Sequence, residues 1–429
     1  MSPPSSFIAG LQGRIDELAQ AIETQKTLLR NLEQEHSAAR SRLNSFLDPM
    51  ARLPLELQSD IFLRCMPLSQ PKPSPYEAPM VFLSVSRLWN HIALATPALW
   101  AQLRIERLPR KAGVFSLCDL WLTRAPAIPL ALTLHSTAGL DHTVRQFLAR
   151  CGPRLGSLSL ELALDFRPTS VVRQIILNAA FPLLETMTIE SEDCTVLKNA
   201  NDLVAPLRSS PVLVEYTIRN ICMLYNPPDP SMHVEPLTHI SLQKLHLGSI
   251  REPEYFCGRG SSADILRYVT LPSLRHLTIT EFDITPDDFA SFIARSSPPL
   301  YSLHVAIRIP DDVLIAWLRI IPSITHLLVA REFPEQFISS LSTDSSPHLR
   351  LLPNLRHLTL VPGMLSSPAC QAVARMLDVR CARIDNTRLD SFRLVHPRAL
   401  HEDVLVDLRR LVSEGLEVRF GKDGEKILV

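Results

Sequence analysis

Eight segments of this chain fit one pattern, Pro-x-Leu-x-x-Leu-x-Leu, and that pattern leaves few folds open. They are PRLGSLSLE (153–161), PLLETMTIE (182–190), PVLVEYTIR (211–219), ISLQKLHLG (240–248), PSLRHLTIT (272–280), PLYSLHVA (299–306), PSITHLLVA (322–330) and PNLRHLTLV (353–361). Ile240 takes the proline slot of the fourth and Pro298 that of the sixth. The starts fall at 153, 182, 211, 240, 272, 298, 322 and 353, so the first three intervals are each 29 residues. Leucines that alternate with polar residues mark a short strand with one face buried. A unit that recurs at such a period buries its apolar face only by stacking on its neighbours.

The stretches between these segments have a helical period. SVVRQIILNAAF (170–181), DDFASFIARSS (287–297), DDVLIAWLRII (311–321), ACQAVARMLDV (369–379) and DVLVDLRRLV (403–412) each place apolar residues three and four apart. TPDD (285–288) and PDD (310–312) put acidic residues at helix starts, where free amides and the macrodipole favour them. Strand and helix in alternation at this spacing have the physical meaning of a leucine-rich repeat. The expected fold class is therefore α/β, a solenoid with short parallel strands. The asparagine or cysteine that usually follows the last leucine is missing, which predicts less regular turns. Further strands are expected at IPLALTL (128–134), LDSFRLV (389–395) and LEVRF (416–420), the last two as a C-terminal cap.

Between the leucines, the fourth, sixth and eighth residues after the proline slot face outward. Down the stack they run from Ser157, Thr186 and their acidic neighbours Glu161 and Glu190 to a later stretch rich in histidine. His276, His326 and His357 share one slot, and His246 and His304 another. A protein substrate is expected on this face, with Glu215, Lys244, His246, His276, His304, His326 and His357 as candidate contacts. Three readings of the histidines stay open: a pH-tuned, phosphate-reading or metal-binding patch, substrate contact, or residues that merely suit a half-exposed strand. Strands lie about 4.8 Å apart and Ser302 intervenes between His276 and His326, so neither a metal nor any cofactor is expected.

The N-terminal region has a third period. Ile8, Leu11, Ile15, Leu18, Ile22, Gln25, Leu29, Leu32, His36, Ala39, Leu43 and Phe46 alternate at spacings of three and four without a slip. This is the a/d seam of a coiled-coil helix, ending near Asp48-Pro49, where proline disfavours helix in the residue before it. In a parallel homodimer the flanking pairs would be Arg14–Ala19, Ala21–Lys26, Leu28–Glu33, Glu35–Arg40 and Arg42–Leu47, and only one of these is a salt bridge. A homodimer, a partner helix or the protein's own body all remain possible occupants of the seam.

The stretch LPLELQSDIFLRC (53–65) predicts a helix that starts at Leu53-Pro54, with Leu57 and Ile61 on one face and Leu55 and Phe62 on the next. PLSQPKPSPYEAP (67–79) cannot be helical and reads as an extended loop. A second helix is predicted to align Phe82, Val85, Trp89 and Ile92, before Pro97 opens a last turn with Leu99 and Trp100. Leu-Pro-x-Glu-Leu-x-x-x-Ile-Phe, then Val-x-Arg-x-Trp-x-x-Ile-Ala, then Thr-Pro-x-Leu-Trp together resemble an F-box. With the preceding heptad, the proline-rich insertion and Leu-Trp-Leu-x-Arg at 120–124, the chain resembles the large F-box group of mushroom-forming fungi, from which it departs at Ser86, often cysteine there. The resemblance implies a small all-α hook that docks on the Skp-type adaptor of a cullin ubiquitin ligase. Carried over by position, the hook is Leu53, Pro54, Leu57, Ile61, Phe62, Leu83, Val85 and Trp89. Leu57, Ile61 and Val85 are open between core and interface, whereas Leu53 and Pro54 at the helix start read as interface.

Composition narrows the rest. The formal net charge is +0, so neither nucleic acid nor an acidic membrane surface is expected as a partner. Thirteen glycines leave little for phosphate loops, and no HExxH, GxSxG or GxGxxG pattern occurs, so no catalytic residue and no enzyme activity are expected. The eight cysteines are scattered without a CxxC pair, which fits reduced, buried thiols. With no secretory signal and no membrane-length apolar run, an intracellular protein of the cytoplasm, the nucleus or both is expected. The expected order is a coiled-coil helix (1–48), an F-box with its insertion 67–79 (49–107), a connector with a first strand (108–152) and a leucine-rich-repeat-like solenoid with C-terminal cap (153–429). The expected role is substrate recognition for a Skp–cullin–F-box ligase; the alternative is a non-catalytic repeat scaffold acting outside the ligase.

Overall fold

The structure, a computed structural model, describes residues 5–106, 113–136, 142–162, 180–197, 201–223, 234–248, 260–280, 284–306, 309–330, 335–342, 351–362, 367–381, 388–395, 402–421 and 426–427. The fold is mixed α/β, with an N-terminal helix and a large, mainly parallel sheet. Two compact units are present. One comprises Met1–Trp100 with Thr123–Pro126, the other Ala101–Leu122 with Ala127–Val429.

In the first unit the uninterrupted heptad forms a single helix, α1 (Ser5–Leu47). A 3-10 turn over Pro49–Arg52 follows, opened by the Asp48 carboxylate, which accepts from the Met50 amide at 2.9 Å. The next helix, α2 (Leu55–Arg64), begins one residue later than its sequence suggested. Pro54 sits at its N-cap, extended, instead of within its first turn. The single helix expected to align Phe82, Val85, Trp89 and Ile92 is two. α3 (Phe82–Val85) stops at Ser86, whose backbone is extended and whose hydroxyl accepts from Trp89 N at 3.2 Å, thereby capping α4 (Arg87–Ala95). Apolar periodicity runs straight across this break, which hides it from a pattern reading. The proline-rich stretch 67–79 contains no helix, as expected.

The core of this unit is aromatic. Phe62, Phe82, Ile92, Leu99 and Trp100 are all buried. Phe62 lies 4.4 Å from Phe82 and 5.0 Å from Trp89 between ring centroids. Trp100 Nε1 donates to the Ala93 carbonyl at 2.8 Å, and the Arg124 guanidinium lies 4.2 Å from its ring centroid. A buried indole thus has its one polar atom satisfied and a cation over its face.

The second unit is organised by its strands: β1 (Gln102–Ile105), β2 (Leu130–Ser136), β3 (Leu155–Leu162), β4 (Thr186–Leu197) and β5 (Glu215–Met223). After the two-residue β6 (Leu237–Thr238) come β7 (Lys244–Gly248), β8 (Gly260–Ser261), which pairs with β5, and β9 (Val269–Thr270), which pairs with β6. The sheet continues through β10 (His276–Thr280), β11 (Ser302–Val305), β12 (His326–Val329), β13 (His357–Leu360), β14 (Ser391–Val395), β15 (Glu417–Gly421) and β16 (Lys426–Ile427). Along β1 to β15 each main strand lies parallel to the next, in sequence order.

Register explains the repeat. Leu132, Leu158, Met187, Tyr216, Leu245, Leu277, Leu303, Leu327, Leu358 and Phe392 fall opposite one another on successive strands. Every one is buried. Each repeated leucine therefore packs above and below its equivalent, and a fixed phase is required to keep that row inside. Strands expected near 128–134, 389–395 and 416–420 are present as β2, β14 and β15. The last two extend the parallel sheet, with the antiparallel β16 at its edge.

Helices connect the strands at Pro286–Ser296, Asp311–Ile320, Ser367–Cys381 and Glu402–Ser413, close to the expected stretches. Thr285 caps the first of these by accepting from the Asp288 amide at 3.1 Å. The helix expected over 170–181 lies outside the described residues, apart from Ala180 and Phe181, which are not helical. Cys118, Cys151, Cys370 and Cys381 are free and buried. Burial pushes the Cys118 and Cys151 thiols up to about 12, which leaves them unreactive at neutral pH. Among the described residues no helix is long and apolar enough to cross a membrane.

Candidate functional site

Parallel strands in register carry the alternate side chains of the sheet into two outward rows. One row reads Glu215, Lys244, His276, Ser302, His326, His357, Ser391 and Glu417 on successive strands. The other reads Thr217, His246, Thr278, His304, Leu328, Thr359, Arg393 and Arg419. Glu215, Lys244, His246, His276, His304, His326 and His357 all line one depression of about 540 Å³. Seven residues spread over 143 positions of sequence (215 to 357) are thus gathered on one surface, and the stacking period does the gathering.

The rings touch in a defined order. His326 and His357 have centroids 4.1 Å apart and planes tilted by 32°. His276 and His326 are separated by Ser302, and Tyr301 fills the gap. Its hydroxyl lies 2.6 Å from His276 Nε2, and its ring stands edge-on to both imidazoles, at 4.5 and 5.8 Å. His357 Nδ1 lies 2.8 Å from Ser391 Oγ, and His326 Nδ1 lies 2.8 Å from Thr325 Oγ1. Tyr301 and Thr325 each sit one place before an outward slot, so a strict alternation of faces misses them. Among the described residues no group of three His, Cys, Asp or Glu side chains is placed to hold a metal ion.

Charge on this face is internally balanced. Lys244 Nζ lies 3.3 Å from Glu215, and Arg219 lies 3.7 Å from Glu190 on the adjacent strand. Arg104 grips Glu161 through two bonds of 3.0 and 2.7 Å, and His135 stands 3.4 Å from the same carboxylate. Such cross-strand pairs neutralise the acidic end that the sequence displayed. What remains at the centre is a set of imidazoles and hydroxyls, able to donate or accept, beside the apolar Leu328. That chemistry suits recognition of a polar, peptide-like surface.

Burial lowers the pKa of His246, His276, His304 and His326 below the ordinary 6.5; Glu215 opposes the shift in His246 and His276 without reversing it. At neutral pH these rings are uncharged in both folded and unfolded chain and contribute nothing to pH dependence. As pH falls below about 6.5 the unfolded chain takes up protons that the folded face resists, so stability declines until the folded pKa is passed. Urea midpoints at pH 7.5, 6.5 and 5.5 should fall across the last step. A His276→Gln/His326→Gln variant should show a shallower fall, and an equal slope in both proteins would refute the assignment.

In the first unit the candidate hook residues separate into two groups. Phe62 is buried and Trp89 half-buried, in contact within the aromatic core. Leu57, Ile61 and Val85 are 51%, 37% and 53% exposed, so the core does not use them. Leu53 and Leu83 are half-buried and Pro54 is exposed. A residue the sequence did not single out fixes this end of α2. Gln58 is buried, and its amide donates to the Met50 and Leu53 carbonyls at 2.7 and 2.8 Å. This closes the turn that presents Leu53 and Pro54. Compared with known proteins, the chain matches no protein-family model and no curated protein.

Proposed function

We propose that this chain is the substrate-recognition subunit of a Skp–cullin–F-box ubiquitin ligase. The observation that carries the reading is the surface of α2 and α3. Leu57, Ile61 and Val85 stay in solvent while Phe62, Phe82, Ile92 and Trp100 close a core without them. Apolar side chains left out of a small core, one helical turn apart on α2, suit a helix-on-helix interface. On this reading 49–107 is the F-box and docks the Skp-type adaptor. The stacked segments from 153 onward form a leucine-rich-repeat-like solenoid, and its histidine-lined depression holds a protein substrate. The chain itself has no catalytic group; it raises the effective concentration of substrate beside ubiquitin charged elsewhere in the complex.

The test is co-purification of the full chain with a Skp-type adaptor, native against a Leu57→Asp/Ile61→Asp variant. Capture by the native chain alone supports the reading. If the native chain fails to capture the adaptor, the function passes to the alternative, a leucine-rich-repeat scaffold acting outside the ligase.

A further inference from the structure

Among the described residues, α1 carries a long exposed apolar stripe. Ile15, Leu18, Ile22, Leu29, Leu32 and Leu43 are each at least half exposed, and Phe46 is 76% exposed. A helix of this length with its seam in water from Leu11 to Phe46 needs a second helix. We infer that the occupant is a second copy of α1, antiparallel, with residue i of one chain opposite residue 61 − i of the other.

That register follows from the seam's two polar residues. In an antiparallel pair each a position meets a d position of the partner. With the sum at 61 the layers are Ile15–Phe46, Ile22–Ala39, Leu29–Leu32, His36–Gln25 and Leu43–Leu18, each occurring twice by symmetry. His36 meets Gln25 in both. An imidazole opposite a carboxamide finds a donor and an acceptor whichever ring nitrogen carries the proton. Shifting by one heptad either way buries His36 and Gln25 against leucine or leaves one outside the overlap, which costs unsatisfied polar groups. The small Ala39 also falls opposite Ile22, so large and small alternate.

The parallel pair fits less well. It sets His36 on His36, where protonation creates two facing cations, and Ala39 on Ala39, where a gap opens. Flanking charges give one favourable kind of pair in either orientation: Glu35–Arg40 when parallel, Lys26–Glu33 when antiparallel at this register. No like charges meet in the antiparallel pair. The overlap from Ile15 to Phe46 spans about 47 Å at 1.5 Å per residue, with Leu11 beyond it.

The different charge pairs make orientation testable by sedimentation equilibrium of the full chain. Lys26→Glu and Glu33→Lys should each weaken a dimer about tenfold, because two attractive contacts become repulsive. The double variant K26E/E33K should restore the native dissociation constant. In a parallel pair these residues face Ala21 and Leu28, and the single variants would leave association unchanged. Circular dichroism of each variant checks that α1 is still helical. A native chain that remains monomeric, or a dimer that the double variant does not restore, overturns the inference.

Discussion

Replacing Arg380 with methionine should lower the unfolding free energy by about 3 kcal/mol, the scale for leaving buried backbone carbonyls without a donor. Arg380 is 1% exposed at the end of the helix Ser367–Cys381. Its guanidinium donates to three backbone carbonyls: Leu341 at 3.0 Å, Leu352 at 2.9 Å and Leu351 at 2.6 Å. Leu341 belongs to the helix Glu335–Ser342, whereas Leu351 and Leu352 lead into the eighth repeat. Leu352 sits at φ 52, a left-handed conformation that costs a leucine free energy and persists only when its surroundings enforce it. The guanidinium holds the carbonyls of this corner, and methionine would remove that donor from all three, leaving Leu352 O to the Leu355 amide at 3.3 Å. Burial pulls the guanidinium down to about 10, so it is still cationic at neutral pH. Lysine keeps the charge but lacks the planar fork, so Arg380→Lys should lose most of the same stability. Urea titration followed by circular dichroism measures both; a loss under about 1 kcal/mol for methionine would show that the clamp does not hold the corner.

The second large effect concerns the adaptor. Leu57→Asp with Ile61→Asp should weaken adaptor binding at least about 100-fold, the scale of losing two apolar anchors in a desolvated interface. Fold stability should change by less than about 0.5 kcal/mol, because substitutions at exposed sites away from caps and cores cost little. Phe62→Ala is the contrasting case. Buried between Phe82 and Trp89, Phe62 supports the surface from beneath, so its loss should cost about 3–5 kcal/mol of stability. Separating binding from stability in this way distinguishes an interface from a core. A variant that loses adaptor only in proportion to unfolding would place Leu57 and Ile61 on the core side.

The stacked strands were legible because a leucine row must keep one phase to stay buried, and that phase is written as Pro-x-Leu-x-x-Leu-x-Leu. The histidine depression was legible for the same reason, since outward slots repeat with inward ones. β1 was not, because QLRI (102–105) lacks the proline and the full pattern and is recognised only through its pairing with β2. The helix Asn201–Ser209 carries Pro206 as the sixth of its nine residues, an interior position where proline argues against helix in sequence. Ser86 broke a helix that apolar spacing joined. Gln58 and Arg380 escaped notice because polar side chains on helices read as solvent-facing; Arg380 in particular reads as a cation at a helix C-terminus. For β1, Ser86, Gln58 and Arg380 a tertiary partner distant in sequence, or a backbone turn, overrides the local pattern.

We propose that the first unit docks an adaptor through α2 and α3. Hydrogen–deuterium exchange of the full chain, with and without a purified Skp-type adaptor, tests it most directly. Adding adaptor should slow exchange over 53–64 and 82–95 and leave the sheet from β3 to β15 unchanged. Exchange that is identical with and without adaptor, or protection that falls on the sheet and spares α2 and α3, would contradict it.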